Sequence, residues 1–228
     1  MFYGNKGDKY FGNSFHTGPI LFYVKLKNNL KFEKLISKMN TLITHLTQFI
    51  SVSDEEFASI SSFFRSVQLK KKEDLMRRGE VCRSLYFVDE GCLRKFFINE
   101  RGIEQTTEFA IEKWWISDTF AFERQIASEF NIQAVEKSVV LVLDYVSQQQ
   151  LLEKHPVMER YFRMVYQRAA AAAERRIRYI YEYSREEMYL HFSRQYPWFI
   201  QRIPQYLIAS FLGFTPEYLS EIRAKLKL

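Results

Sequence analysis

Near the C-terminus, the segment IPQYLIASFLGFTPEYLSEIRAKL (203–226) carries polar side chains at spacings that could contact a nucleic acid. If Leu219 and Ile222, three residues apart, form the buried stripe of a helix, the residues between and beside them face outward. Lysine and arginine on that side could neutralise phosphates. The outward-facing and phosphate-facing residues are Arg202, Gln205, Tyr218, Ser220, Glu221, Arg223, Lys225 and Lys227.

The same segment predicts two short helices joined by a tight turn. Leu207 to Leu212 carries apolar residues at helical spacing, and Gly213 suits a position that leaves a helix with positive φ. Thr215 and Pro216 are typical of the N-cap and first turn of a second helix. Ala209 is small where the two helices would cross. This order predicts a helix-turn-helix, and an ordinary corner between two helices is the alternative.

Composition limits the class of protein. The chain has 228 residues, 47% of them hydrophobic, which predicts a globular protein with one large or two small domains. The only cysteines, Cys82 and Cys92, form no CxxC motif, so we expect no disulfide framework, no metal site and a reducing cytoplasm. No GxSxG, P-loop or HExxH motif is present, so we expect neither enzyme activity nor a cofactor.

No membrane association is expected, because the apolar run Ile20 to Val24 is far too short to span a bilayer. The net charge of +6 is unevenly distributed. Residues 39–149 carry 13 Lys and Arg against 17 Asp and Glu, whereas residues 150–228 carry 13 against 8. This asymmetry favours phosphate contacts by the last third of the chain alone.

Four parts follow from the pattern along the chain. Residues 1–38 are rich in Gly, Asn and Lys without a sustained period, and we expect an N-terminal extension with Met39 as the biological start. Residues 39–156 open with helical spacing and a capping box at Ser53 and Glu56. Short strand-like runs then follow between about 65 and 145, which predicts an antiparallel barrel or β-roll.

Residues 157–183 contain no Gly or Pro and predict one long helix. Ser184 and Glu187 form a second capping box, so 184–228 begins a new helical domain. The long helix has an apolar face that needs a partner, and we expect it to join two copies of the chain. The predicted dimerisation residues are Tyr161, Met164, Val165, Ala169, Ala172, Ile177 and Ile180.

In this order of parts the chain resembles the Crp/Fnr superfamily of transcription regulators over residues 39–228, and it looks closest to regulators found in Bacteroidetes. The resemblance is carried by RRGEVCRSLYFVDEGCLRKFF (77–97), EKWWISDTFAF (112–122) and HFSRQYPWFIQRIPQYLIASFLGFTPEYLSEIRAKL (191–226). It implies an α+β protein with an antiparallel jelly-roll sensor domain, flanking helices, a long dimerisation helix and a winged-helix-like helix-turn-helix. Homodimers of this kind would bind double-stranded DNA, and RNA polymerase is a further candidate partner.

The resemblance also indicates where an effector would bind. Relatives that bind cyclic nucleotides carry Gly-Glu and, further on, an Arg followed by Ser or Thr. The Gly-Glu position here reads Ser117-Asp118, and the Arg region reads Ala127-Ser128-Glu129. A buried phosphate needs a charge-assisted partner, so we expect no response to cyclic AMP and either an unknown effector or none. The candidate pocket residues are Trp115, Ser117, Asp118, Arg124 and Ser128.

In the helix-turn-helix, the resemblance assigns Glu217 to a base contact, and it adds Thr215 to the predicted interface. Glu221 stands where many relatives have an arginine, so the resemblance implies weaker DNA binding or binding that requires an effector. We therefore keep an alternative: a ligand- or protein-binding β-roll whose C-terminal domain no longer binds DNA.

Overall fold

A computed structural model describes residues 40–226, so the predictions for 1–38 and Met39 lie outside the described residues. Two short helices, α1 and α2, lead into eight strands, α3 lies between β6 and β7, and the other six helices follow the last strand. The elements are α1 Asn40–Leu46, α2 Asp54–Ser61, β1 Arg65–Leu69, β2 Asp74–Met76, β3 Ser84–Glu90, β4 Cys92–Ile98, β5 Glu104–Ile111, β6 Trp115–Ile116, α3 Thr119–Arg124, β7 Asn131–Ala134, β8 Ser138–Asp144, α4 Tyr145–Lys154, α5 Val157–Glu182, α6 Arg185–Gln195, α7 Pro197–Arg202, α8 Gln205–Leu212 and α9 Pro216–Lys225.

The strands form the predicted antiparallel roll. One sheet has the order β1-β8-β3-β6 and the other β2-β7-β4-β5, and every pairing is antiparallel. Gly91, at φ 97°, joins β3 to β4. A β-carbon there would lie 2.3 Å from the Ser138 hydroxyl, so glycine is required for two reasons.

Both faces of the β4–β5 part of the roll are buried. Leu93 and Ala110 point inward to the main core, whereas the adjacent Cys92 and Phe109 belong to a second core formed with the C-terminal helices. Successive residues of a strand point to opposite faces, so these neighbours lie on opposite sides of the sheet. This sheet therefore serves both the roll and the C-terminal domain.

The long helix α5 spans 26 residues, about 39 Å, and its buried residues, Met158, Tyr161 and Phe162, all lie in its first turns. Tyr161 is fully buried there, and Met164 and Val165 pack against the same core. The prediction that Tyr161 contacts a second chain is thus wrong, because its side chain is fully buried by contacts within its own chain. Ile177 and Ile180 are each 55% exposed, and Ala169 and Ala172 are half-buried.

The two capping boxes are formed as predicted. Ser53 and Glu56 cap α2, and Ser184 and Glu187 cap α6, each with both reciprocal hydrogen bonds. Among residues 184–226 the structure contains helices and no strand, so the wing expected with the helix-turn-helix is not found in that range.

Candidate functional site

Helices α8 and α9 are joined by the predicted tight turn. Gly213 ends α8 at φ 78°, and the amide of Phe214 donates to the carbonyl of Ala209 at 2.8 Å. Thr215 caps α9, its hydroxyl accepting from the Tyr218 amide at 3.2 Å. Ala209 is fully buried between the helices.

One face of α9 is buried and the other is polar. Leu219 and Ile222 are 1% exposed and pack in the second core. The residues that face solvent are Thr215, Glu217, Ser220, Glu221 and Lys225. Lys225 lies 3.3 Å from Glu186, but both side chains are exposed, so this ion pair holds the lysine only weakly. Five of the ten predicted DNA-contacting residues thus share one accessible surface, and one more, Lys227, lies outside the described residues.

Arg202 is turned toward the roll. Its guanidinium donates two hydrogen bonds to Glu112, at 2.9 and 2.7 Å, and its Nε donates to Glu136 at 3.0 Å. The hydrogen bond to Glu112 is the main cause that raises the pKa of Arg202 above its ordinary value. Burial alone would raise the pKa of Glu112, but hydrogen bonds from Arg202 overcome it and lower that pKa. The charge of Arg202 is therefore neutralised within the protein.

The other three predicted residues are only partly accessible. Gln205 donates to the carbonyl of Ile200 at 3.2 Å. Tyr218 packs edge-on against Phe214, with ring centroids 5.7 Å apart. Arg223 is half-buried near Tyr189, where burial raises the tyrosine's pKa and Arg223 opposes that effect. These three side chains make contacts within the protein and are less accessible to DNA than the five exposed residues.

Two residues that the sequence analysis did not single out hold the C-terminal helices on the roll. The ring of Phe109 lies 5.1 Å from that of Phe199 and 5.4 Å from that of Phe211. Arg176 donates to the carbonyls of Thr107 and Phe211, and thereby joins α5, β5 and α8. Burial lowers the pKa of Arg176 to about 10, so it remains charged at neutral pH. Alternation along β5 could have indicated a second buried face at Phe109; nothing local identifies Arg176.

The candidate effector pocket is closed by its own polar groups. Asp118 caps α3 by accepting from the Ala121 amide at 3.1 Å, and its second oxygen accepts from the Ser128 hydroxyl at 2.7 Å. Asp118 is 6% exposed and Ser128 2%. By the resemblance, Asp118 stands at the position of a ribose-binding acid and Ser128 beside that of a phosphate-binding arginine, and these two side chains are bonded directly to each other. The ten-residue spacing of an acid and a hydroxyl at these positions is the signal that could have predicted this pairing.

The remaining predicted pocket residues do not converge on that pair. Trp115 donates from Nε1 to the Tyr161 hydroxyl at 2.8 Å, which makes it part of the core. Ser117 donates to the carbonyl of Ser84 at 2.9 Å. Arg124 is exposed at the end of α3, with its guanidinium 4.2 Å from the centre of the Phe120 ring. Only Asp118 and Ser128, of the five, are brought together by a hydrogen bond.

Within residues 40–226, no group of three His, Cys, Asp or Glu side chains is arranged to hold a metal ion. None of the helices in that range combines the length and the apolar composition needed to cross a bilayer.

Comparison with known proteins agrees with this geometry. Residues 66–155 match the family model of the cyclic nucleotide-binding domain, and no curated protein sequence matches the chain. FixK2 from Bradyrhizobium japonicum is similar in structure at 15% identity and a TM-score of 0.59, over 72% of this chain and 84% of FixK2. A CooA mutant from Carboxydothermus hydrogenoformans is similar at 17% identity and a TM-score of 0.57, over 77% of this chain and 81% of the CooA chain.

The regulator CLP from Xanthomonas campestris, described as c-di-GMP responsive, gives 15% identity and a TM-score of 0.57, over 75% of this chain and 91% of CLP. At such identities the likeness shows a shared fold. The resemblance to Crp/Fnr regulators is thus confirmed at the level of the fold: a cyclic nucleotide-binding jelly-roll followed by C-terminal helices. The finer resemblance to regulators of Bacteroidetes stays a prediction.

Proposed function

We propose that this protein is a homodimeric, DNA-binding transcription regulator of the cytoplasm and not an enzyme. The observation that carries the proposal is the helix-turn-helix, with Gly213 at positive φ, Thr215 capping α9 and a polar face of α9 open to solvent. In this geometry the second helix enters the major groove and its side chains reach base edges. The fold shared with FixK2 and with the regulator CLP supports the same function.

The proposed dimer forms through the exposed part of α5. Two of the predicted dimerisation residues, Ile177 and Ile180, are more than half exposed. With Ala170 and Ala173 they are spaced by three, four and three residues, the repeat of a coiled-coil seam, and the predicted Ala169 and Ala172 lie beside it. The partner is a second copy of α5, which would place two α9 helices about 34 Å apart on DNA.

The first experiment measures binding to the DNA upstream of the protein's own gene, by gel shift with a salt titration. Binding should weaken steeply with salt because phosphate contacts release counterions. Ile177→Asp should abolish both dimer and gel shift, whereas Glu174→Asp on the same helix should leave both intact. Sedimentation measures the dimer separately. A wild-type protein that is monomeric in the presence of DNA, or an unshifted DNA at low salt, would refute the proposal.

The proposed regulator does not respond to cyclic AMP. This is supported by the hydrogen bond between Asp118 and Ser128, which stand where the resemblance expects nucleotide contacts, and no arginine of residues 40–226 is hydrogen-bonded to either side chain. A buried anion without a charge-assisted partner is strongly disfavoured. Calorimetry should detect no heat of binding for cyclic AMP. Binding of cyclic AMP with micromolar affinity would contradict the proposal that the regulator does not respond to it.

A β-roll protein whose C-terminal domain has lost DNA binding is the second candidate. Its exposed α9 face carries Glu217 and Glu221 against one cation, Lys225, and Arg202 is neutralised by Glu112 and Glu136. If the protein has this second function, it should still form the dimer, but it should shift no DNA in the gel at low salt. The same gel-shift experiment therefore decides between the two functions.

A further inference from the structure

A cavity of about 320 Å³ lies outside the roll, where α3, α4 and α5 meet. Its walls include Thr119, Phe122 and Glu123 from α3, Tyr145 and Gln148 from α4, and Tyr166 from α5. This volume is at the lower end of the range for small-molecule sites. Neither Asp118 nor Ser128 lines it, so it is separate from the closed pocket described above.

Gln148 is the first indication of a ligand. It lines the cavity and makes no hydrogen bond with any of residues 40–226, although the residue as a whole is only 7% exposed. Its amide atoms are not among those in this range that are both buried and unpaired, so solvent in the cavity reaches them. A molecule in the cavity that donates to the amide oxygen of Gln148 would replace that solvent.

The charge of the walls gives the class of molecule. Glu123 is the single charged residue among those that line the cavity, and it is exposed. Arg124 follows it in sequence, but its guanidinium lies over Phe120 and does not line the cavity. A carboxylate without a cation beside it attracts a cation and repels an anion.

Aromatic rings complete the site. Phe122 and Tyr145 pack edge to face, with centroids 5.5 Å apart, and Tyr166 lies at the α5 side. Aromatic faces attract ammonium groups and also give an apolar surface for the rest of a ligand. We propose that this cavity binds a small primary ammonium compound with an apolar body, whose ammonium group donates to Gln148 and pairs with Glu123.

Calorimetry with three probes of equal size tests the proposal: benzylamine, neutral benzyl alcohol and anionic benzoate. Benzylamine should bind with a millimolar or lower Kd, benzyl alcohol more weakly, and benzoate not at all. Glu123→Gln and Gln148→Leu should each raise the Kd of benzylamine about fivefold or more, because each removes roughly 1 kcal/mol of interaction. Glu129→Gln, an exposed change outside the cavity, should leave the Kd unaltered.

NMR shifts induced by benzylamine locate the site, and they should cluster at Gln148 and Tyr166 while the amides of α9 stay unchanged. Binding of benzoate as tight as that of benzylamine, or an unchanged Kd in both variants, or no binding of benzylamine at millimolar concentration would overturn the proposal. Gln148→Leu removes an unpaired polar group and should fold normally, which keeps the test valid if Glu123→Gln is unstable. The test needs no DNA, so it is independent of the proposed regulatory function.

Discussion

The pocket at Asp118 and the surface of α9 were both predicted from polar residues, yet the two regions use them differently. In the roll, Asp118 and Ser128 are buried and satisfied by each other, so nothing remains for an outside ligand. On α9, Glu217, Ser220 and Lys225 face solvent, and the contacts that Ser220 makes with the Pro216 carbonyl and Lys225 with Glu186 are exposed and open to exchange with a ligand. A polar residue near a candidate site therefore indicates function only when its polar atoms stay accessible to a ligand and are not buried in a hydrogen bond within the chain.

The largest effect should come from separating the α9 surface from the roll. Phe109→Ala removes the ring that contacts Phe199 and Phe211, and we expect a loss of about 3–5 kcal/mol in the free energy of unfolding. Urea denaturation measures it. Phe120→Ala, where the ring is 58% exposed, serves as the control and should lose far less. Equal losses would mean that the second core does not hold the C-terminal helices.

The next effect concerns the closed pocket. Asp118→Ala removes the N-cap of α3 and leaves the buried hydroxyl of Ser128 without its acceptor. We expect a loss of about 2–4 kcal/mol, the sum of a cap and an unsatisfied buried group. Glu129→Ala, beside Ser128 but exposed, should change stability by less than about 0.5 kcal/mol. A neutral result for Asp118→Ala would show that the pocket is hydrated and open.

Arg202 tests whether an internally paired cation also contacts DNA. Arg202→Gln leaves Glu112 and Glu136 without their shared partner, so we expect a loss of about 1–2 kcal/mol in stability. Because this charge is already neutralised, the salt dependence of DNA binding should not change. If the slope of the logarithm of the binding constant against the logarithm of salt concentration fell by about 0.9, Arg202 would instead contact a phosphate. Arg194→Gln, an exposed change nearby in sequence, is the stability control.

The smallest stability effect should come from Lys225. Lys225→Gln breaks only the exposed ion pair with Glu186, so unfolding should change by less than about 0.5 kcal/mol. The salt slope of DNA binding should fall by about 0.9, because one phosphate contact is lost. Lys71→Gln, exposed on the roll, should leave the slope unchanged. An unchanged slope for Lys225→Gln would favour the candidate without DNA binding.

Much of the fold could be predicted because its signals are local. The long helix was predicted to within one residue, since it rests on periodicity and on the absence of Gly and Pro, and the strands were found in the predicted range. The turn at Gly213 and the caps at Ser53, Ser184 and Thr215 depend on short-range sterics and hydrogen bonds. Such features form whatever the rest of the chain does.

Site residues were harder to predict, because their partners are distant in sequence. Arg202 meets Glu112 and Glu136, which are 90 and 66 residues away, and Tyr161 meets His45 across 116 residues. The spacing of apolar residues in α5 does not distinguish the turns of the helix that pack on the roll from those that are proposed to pack on a second chain. Burial of Tyr161 and exposure of Ile177 answer that question only once the helix is docked.

The sequence by itself determined the order of helices and strands, the turn between α8 and α9 and the absence of a cation at the Ser128 position. These depend on steric preference and on residue identity at one place. Only the tertiary structure decided that Asp118 binds Ser128, that Arg202 is held by two glutamates and that Gln148 lines a cavity without a hydrogen-bond partner among residues 40–226. Whether a polar group is satisfied depends on what packing brings within about 3 Å of it, and that is a property of the folded chain.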